Sequence, residues 1–131
     1  MPHLRIIEVA HLLGVSDDTV RRWVADGRLP ASDGPGGATV VEGAAAAALA
    51  QEIARTPPTG ARGRPSARNR LTGLVTRVVV DGVMAQVELQ AGPFRLVSLV
   101  SREAVEELGL EVGSRATAVV KATDVGLEVP A

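Results

Sequence analysis

The chain has 131 residues, is 46% hydrophobic, carries a net charge of −1 and contains no cysteine and two histidines, His3 and His11. That excludes disulfides, thiolate metal centres and a cysteine nucleophile, and leaves too few histidines for a histidine-based catalytic metal site. The length suits one ordinary domain or two very small ones; units of roughly 50–60 residues are marginal alone, so self-association is expected to contribute stability.

The first predicted element is a helix in which Ile6, Val9, Ala10 and Leu13 recur at helical spacing. Gly14 can end it in a left-handed conformation, with Val15 plugging the turn. Ser16 is a good N-cap for a second helix, whose first turn gains from Asp17 and Asp18 at the positive end of the dipole. Val20, Trp23 and Val24 form its apolar face, Thr19, Arg21 and Arg22 lie largely off that face, and Gly27 is the natural stop. Two short helices joined by a tight glycine turn make a helix-turn-helix. The Pro35, Gly36, Gly37 run reads as a turn, with a returning strand at Thr39, Val40 and Val41; no basic residue flanks the turn, and Asp33 is acidic. Residues 42–54 form an alanine-rich helix with Ala45, Leu49 and Ile53 on one face. The longest apolar run, 43–50, is far shorter than a bilayer span, and Arg5 and Glu8 interrupt the N-terminal apolar residues unlike a signal peptide. A soluble cytoplasmic protein is the expectation.

Taken together, Glu8, Val9, Ala10, then Leu13, Gly14, Val15, Ser16, then Thr19 through Trp23, and finally Gly27, Arg28, Leu29, Pro30 resemble the winged helix-turn-helix of MerR-type and excisionase-like proteins. The resemblance implies that the second helix enters the major groove of double-stranded DNA. Thr19, Arg21 and Arg22 would be its DNA contacts and Arg28 a phosphate contact. Arginine suits either role, since its guanidinium can bond a guanine edge or neutralise a phosphate.

Residues 55–65 form the expected linker. Pro57 and Pro58 stop the preceding helix, and residues 55–70 hold five arginines and no acid, whereas the flanking segments each sum to −3. The chain's positive charge therefore sits where a polyanion would be attracted first. Within the linker, Arg62, Gly63, Arg64 and Pro65 form the core of an AT-hook, whose arginines suit a narrow minor groove. A plain solvated linker is the alternative reading of the same four residues.

From residue 66 the period changes to that of a sheet. A long β-branched run over 71–81 ends at the hairpin dipeptide Asp81, Gly82. Val83, Ala85, Val87 and Leu89 alternate with Met84, Gln86 and Glu88 in a second, half-buried strand, and a third follows a turn at 91–93. Ser101 caps a short helix over 102–108 with Ala104, Val105 and Leu108 facing inward, and Gly109 ends it. A strand over 115–121 and a last one over 124–129 complete the order of an OB-like β-barrel with one short helix. Phe94 is the only aromatic of this half, so it lacks the stacking platforms of a nucleic-acid-binding barrel.

Three runs in this half carry a second resemblance: Ser66, Ala67, Arg68, Asn69, Arg70, Leu71, Thr72, Gly73; then 104–110; then Val119, Val120, Lys121, Ala122, Thr123, Asp124, Val125. They resemble the Mop (TOBE-type) domain of molbindins and molybdate-responsive regulators. The resemblance implies molybdate or tungstate bound between subunits. Ser66, Arg68 and Asn69 would come from one edge and Lys121, Ala122 and Thr123 from the late strand, with Ala122 acting through its backbone N–H. Ser101 would come from a neighbouring subunit. A tetrahedral dianion asks for such a set of N–H and O–H donors with one or two cations.

The sequence thus predicts two small domains: an N-terminal all-α winged helix-turn-helix over 1–54 and a C-terminal OB-like barrel over 66–131, joined by a basic linker over 55–65. The expected function is oxyanion-sensing transcriptional regulation by a homo-oligomer, a dimer or a trimer of dimers. Molybdate storage with a vestigial helix-turn-helix is the alternative. Neither paired carboxylates nor an activated nucleophile suggests an enzyme, and no cofactor beyond the oxyanion is expected.

Overall fold

In a computed structural model, which describes residues 2–54 and 69–130, the chain divides into two compact units, Met1–Arg55 and Thr56–Ala131. The expected linker over 55–65 and the expected ligands Ser66 and Arg68 lie outside the described residues.

The first unit runs β1 (His3–Arg5), α1 (Ile6–Leu13), α2 (Asp17–Ala25), β2 (Ala31–Asp33), a 3-10 turn at Pro35–Gly37, β3 (Thr39–Glu42) and α3 (Gly43–Ile53). Both helices form as their caps dictate. Gly14 closes α1 at φ 69°, a left-handed conformation, and the Ser16 hydroxyl accepts from the Thr19 N–H at 3.1 Å to open α2. The core joins Val9 and Ala10 of α1, Val20 of α2, Leu29, Val41 of β3, and Ala46 and Leu49 of α3; Trp23 and Val24 pack against it.

The unit is not all-α. Its three strands form an antiparallel sheet in the order β1-β3-β2, with Leu4 opposite Val41 and Ser32 opposite Val40. Strands of three or four residues are too short to display a period of two. The pairing of β1 with β3 also joins segments far apart in sequence, which local pattern does not encode.

The second unit runs β4 (Asn69–Asp81), β5 (Met84–Ala91), β6 (Phe94–Ser101), α4 (Arg102–Leu108), β7 (Arg115–Val120) and a 3-10 turn at Ala122–Asp124. Its antiparallel sheet has the order β6-β5-β4-β7. Val75, Ala85, Val87 and Leu89 form the inner face, closed by Val105 of α4. Residue 76 interrupts the β4–β5 register as a bulge between Val75 and Arg77. Gly73 lets the backbones of β4 and β5 approach: a Cβ there would lie 2.3 Å from the Gln90 carbonyl oxygen.

Two expectations for this unit need correction. No strand forms over 124–129. Residues 125–130 carry no regular structure, and Leu127 and Val129 are 96% and 91% exposed. A strand needs a partner backbone, and neither of the ladder's free edges, β6 and β7, takes this segment up, so the sheet of one chain stays open among the described residues. Leu108 does not face inward but is 71% exposed, leaving Val105 as the residue that anchors α4.

Candidate functional site

The sheet register decides which expected oxyanion ligands meet. Asn69 stands opposite Val120 across the β4–β7 ladder, and its Nδ2 donates to the Val120 carbonyl at 3.3 Å. The carboxamide has a second N–H hydrogen left over. Lys121 follows in extended conformation, and Ala122 opens the 3-10 turn, which closes through Asp124 N–H to the Lys121 carbonyl at 2.9 Å and Val125 N–H to the Ala122 carbonyl at 3.3 Å. The N–H groups of Ala122 and Thr123 open that turn and have no acceptor within it. Lys121, Ala122 and Thr123 are exposed. Asn69, Lys121, Ala122 and Thr123 are thus assembled at one end of the sheet.

Ser101 is elsewhere. It ends β6, opposite Met84 at the start of β5, which in turn pairs with Asp81 at the far end of β4. The length of β4 separates that row from Asn69, about 40 Å along the strand at the usual rise per residue. Within one chain Ser101 cannot reach the ligands on Asn69's side. The Ser101 hydroxyl accepts from the Ala104 N–H at 3.0 Å, which leaves its own hydrogen free to donate. Beside it lies a hollow of about 430 Å³ lined by Gly82, Val83, Arg102, Glu103 and Glu106, and Arg102 is bridged to Glu106 at 3.2 Å. A larger hollow, about 480 Å³, opens between α4, β6 and β7. Leu89, Leu96, Val100 and Leu110 make most of its lining apolar, with Ser98, Arg115 and Thr117 as its polar residues.

One cation at this end of the sheet is absent from the ligands expected from sequence. The Nε of Arg70 is buried and has no hydrogen-bond partner among the described residues. Its signal lies in the strand period, since Arg70 follows Asn69 and so takes the opposite face of β4.

In the first unit, Arg21 and Arg22 lie exposed on α2 and form no ion pair among the described residues. The Thr19 hydroxyl bonds Ser16 Oγ at 2.9 Å, so it serves the helix cap. Arg28 is drawn onto α3, where it pairs with Glu52 at 3.4 Å. The Glu8 carboxylate accepts from the Arg5 backbone N–H at 3.1 Å and from its Nε at 3.0 Å. These bonds, the backbone one first, hold the Glu8 carboxyl below the usual carboxylate range. No cluster of His, Asp or Glu able to hold a metal ion occurs among the described residues, and no helix there is long and apolar enough to cross a membrane.

An α1-turn-α2 unit followed in sequence by a small antiparallel sheet unit defines a protein of two parts, one of helix-turn-helix type and one built on a sheet. The chain belongs to the TOBE domain family, whose model matches residues 65–127, behind a helix-turn-helix domain whose model matches residues 4–45. Over 61 residues, 46% of this chain, it is 48% identical to molybdenum-pterin-binding protein 2 of Clostridium pasteurianum and 44% identical to molybdenum-pterin-binding protein 1 of the same organism, covering 90% of each. Among solved structures, it is similar to a molybdate-binding protein from Sporomusa ovata, with 32% identity and a TM-score of 0.49 over 50% of this chain and 98% of that one.

Proposed function

We propose that this protein is a cytoplasmic, molybdate- or tungstate-sensing transcriptional regulator and not an enzyme. The observation that carries the reading is the β4–β7 register, which joins Asn69 to the Lys121, Ala122, Thr123 corner in a domain of the same family as molybdenum-pterin-binding proteins. The oxyanion would lie between subunits. Ser66, Arg68, Asn69, Lys121, Ala122 and Thr123 would bind it from one copy, and Ser101 from another. The distance of Ser101 from Asn69 along the sheet supports that division, as do the two open sheet edges and the exposed Leu127 and Val129, which favour a homo-oligomer that completes an OB-like barrel.

The first unit would be a winged helix-turn-helix over 1–54, with β2 and β3 as the wing and Arg21 and Arg22 of α2 as the principal DNA contacts. Arg62 and Arg64, in the linker over 55–65, would add phosphate or minor-groove contacts. Oligomerisation pairs the reading heads, and oxyanion binding would set their spacing against half-sites about one helical turn apart. By linkage, DNA and oxyanion then change each other's affinity by the same factor. The reading is tested by calorimetric titration of molybdate against sulfate, with the mass measured in solution. Selective uptake of molybdate by an oligomer supports it; equal binding of sulfate refutes a dedicated site.

Storage is the second reading, favoured by one observation: Arg28, an expected phosphate contact, is engaged by Glu52. A purified protein rich in molybdenum that fails to shift its own upstream DNA would decide for storage.

A further inference from the structure

Arg70 is an anomaly of the sheet unit. A guanidinium keeps its charge at any physiological pH and offers five N–H donors, and buried donors are almost always hydrogen-bonded. Among the described residues the buried Arg70 Nε has no hydrogen-bond partner and Arg70 forms no ion pair.

The register states where this cation belongs. Arg70 lies opposite Val119, and residues directly opposite in an antiparallel pair share a face. That face is the outer one, since Thr72 and Thr117 form the next pair on it, their hydroxyls 2.9 Å apart, while Ala116 and Ala118 pack against the core on the other side. Val120 alternates inward, and Lys121, still extended, returns to the outer face. Lys121 therefore sits diagonally across the ladder from Arg70, at a separation of about 7–8 Å typical of such neighbours and within reach of two long side chains. Like Arg70, Lys121 forms no ion pair among the described residues.

We infer that Arg70 is a specificity-determining residue of the oxyanion site: on the face it shares with Lys121 it adds a further positive charge to those of Lys121 and the proposed ligand Arg68, which favours a tetrahedral dianion over a tetrahedral monoanion of the same size. The inference rests on the proposed oxyanion function and adds a residue to it. Unpaired cations held close together repel one another, and a dianion offsets more of that repulsion than a monoanion does while giving the buried Nε an acceptor.

The test compares molybdate with perrhenate, a tetrahedral monoanion of similar size, by calorimetry on the full chain and on Arg70→Gln, with Lys121→Ala alongside. Arg70→Gln is expected to weaken molybdate binding by roughly 10- to 100-fold, the weight of one charge-assisted bond, and perrhenate by less than about threefold. Arg70→Met, apolar and of similar length, gives the same readout if the glutamine variant does not fold. Molybdate affinity unchanged, or both anions weakened equally, overturns the assignment of Arg70 while leaving the oxyanion function intact. Failure of the unaltered chain to bind molybdate overturns that function and this inference with it. Loss of molybdate binding in Lys121→Ala but not in either Arg70 variant would show that Lys121 acts without Arg70.

Discussion

Asn69 and Val120 are partners twice over: their backbones face each other in the β4–β7 ladder, and the Asn69 side chain bonds the Val120 carbonyl. The second bond ties the start of β4 to the strand that leads into Lys121. Asn69→Asp keeps the shape but removes the donor, sets acceptor against acceptor at Val120, and adds a negative charge beside the proposed oxyanion. It is expected to weaken molybdate binding by about 100-fold and to lower stability by about 1 kcal/mol. Calorimetry and urea unfolding measure the two effects separately, and unaltered molybdate affinity would remove Asn69 from the site.

Gly73 is required by its neighbour rather than by its dihedral angles. A methyl group there would lie 2.3 Å from the Gln90 carbonyl oxygen and 2.7 Å from its carbon, both backbone atoms that cannot swing aside. Gly73→Ala should therefore force β4 and β5 apart and cost about 1–3 kcal/mol, the usual range for overpacking. The denaturation midpoint of the sheet unit reads the loss, and a midpoint equal to the parent's would show that the strands separate freely.

Arg21 and Arg22 predict a salt signature. If both touch phosphates or base edges, Arg21→Ala and Arg22→Ala should each weaken DNA binding. Every phosphate that goes unneutralised should reduce the slope of log affinity against log salt by about 1. Arg28→Ala should change the slope little, since Glu52 already neutralises Arg28. Fluorescence anisotropy over a salt series distinguishes them; equal slopes for the parent and all three variants would place α2 away from DNA.

Glu8 gives the first unit a modest pH dependence. Its carboxyl is held below the usual range in the folded chain, so the unfolded chain binds the proton more readily. The stabilisation is present above the unfolded value and is lost as pH falls through the folded one, on the acid side of the carboxylate range. Both partners are substantially exposed, so the effect is small. Thermal unfolding of Glu8→Gln should begin below the parent at neutral pH and converge with it in acid; a constant gap across that window would contradict the assignment.

Local chemistry made much of the fold legible. Gly14, Ser16, Ser101 and Gly109 marked the ends of α1, α2 and α4, because caps are decided by one or two residues. The alternation from Ala85 to Leu89 marked β5 because one of its faces is buried. What stayed hidden was non-local. The β1–β3 pairing is specified by no pattern within three residues, and the apolar alternation of Val125, Leu127 and Val129 suggested a strand that neither free edge of the sheet takes up among the described residues. At the candidate site, motif positions pointed to Asn69 and Lys121; the strand period sets Arg70 on the face opposite Asn69, but that Lys121 shares this face follows from the β4–β7 register.

The central claim is that one molecule reads both an oxyanion and DNA. Its most direct test is the affinity of the full chain for its own upstream DNA at fixed salt, with and without saturating molybdate. The account predicts a change of about 5- to 150-fold, the usual range of coupling between sites, with the molybdate affinity shifted by the same factor when DNA is present. An unchanged DNA affinity under saturating molybdate would contradict it.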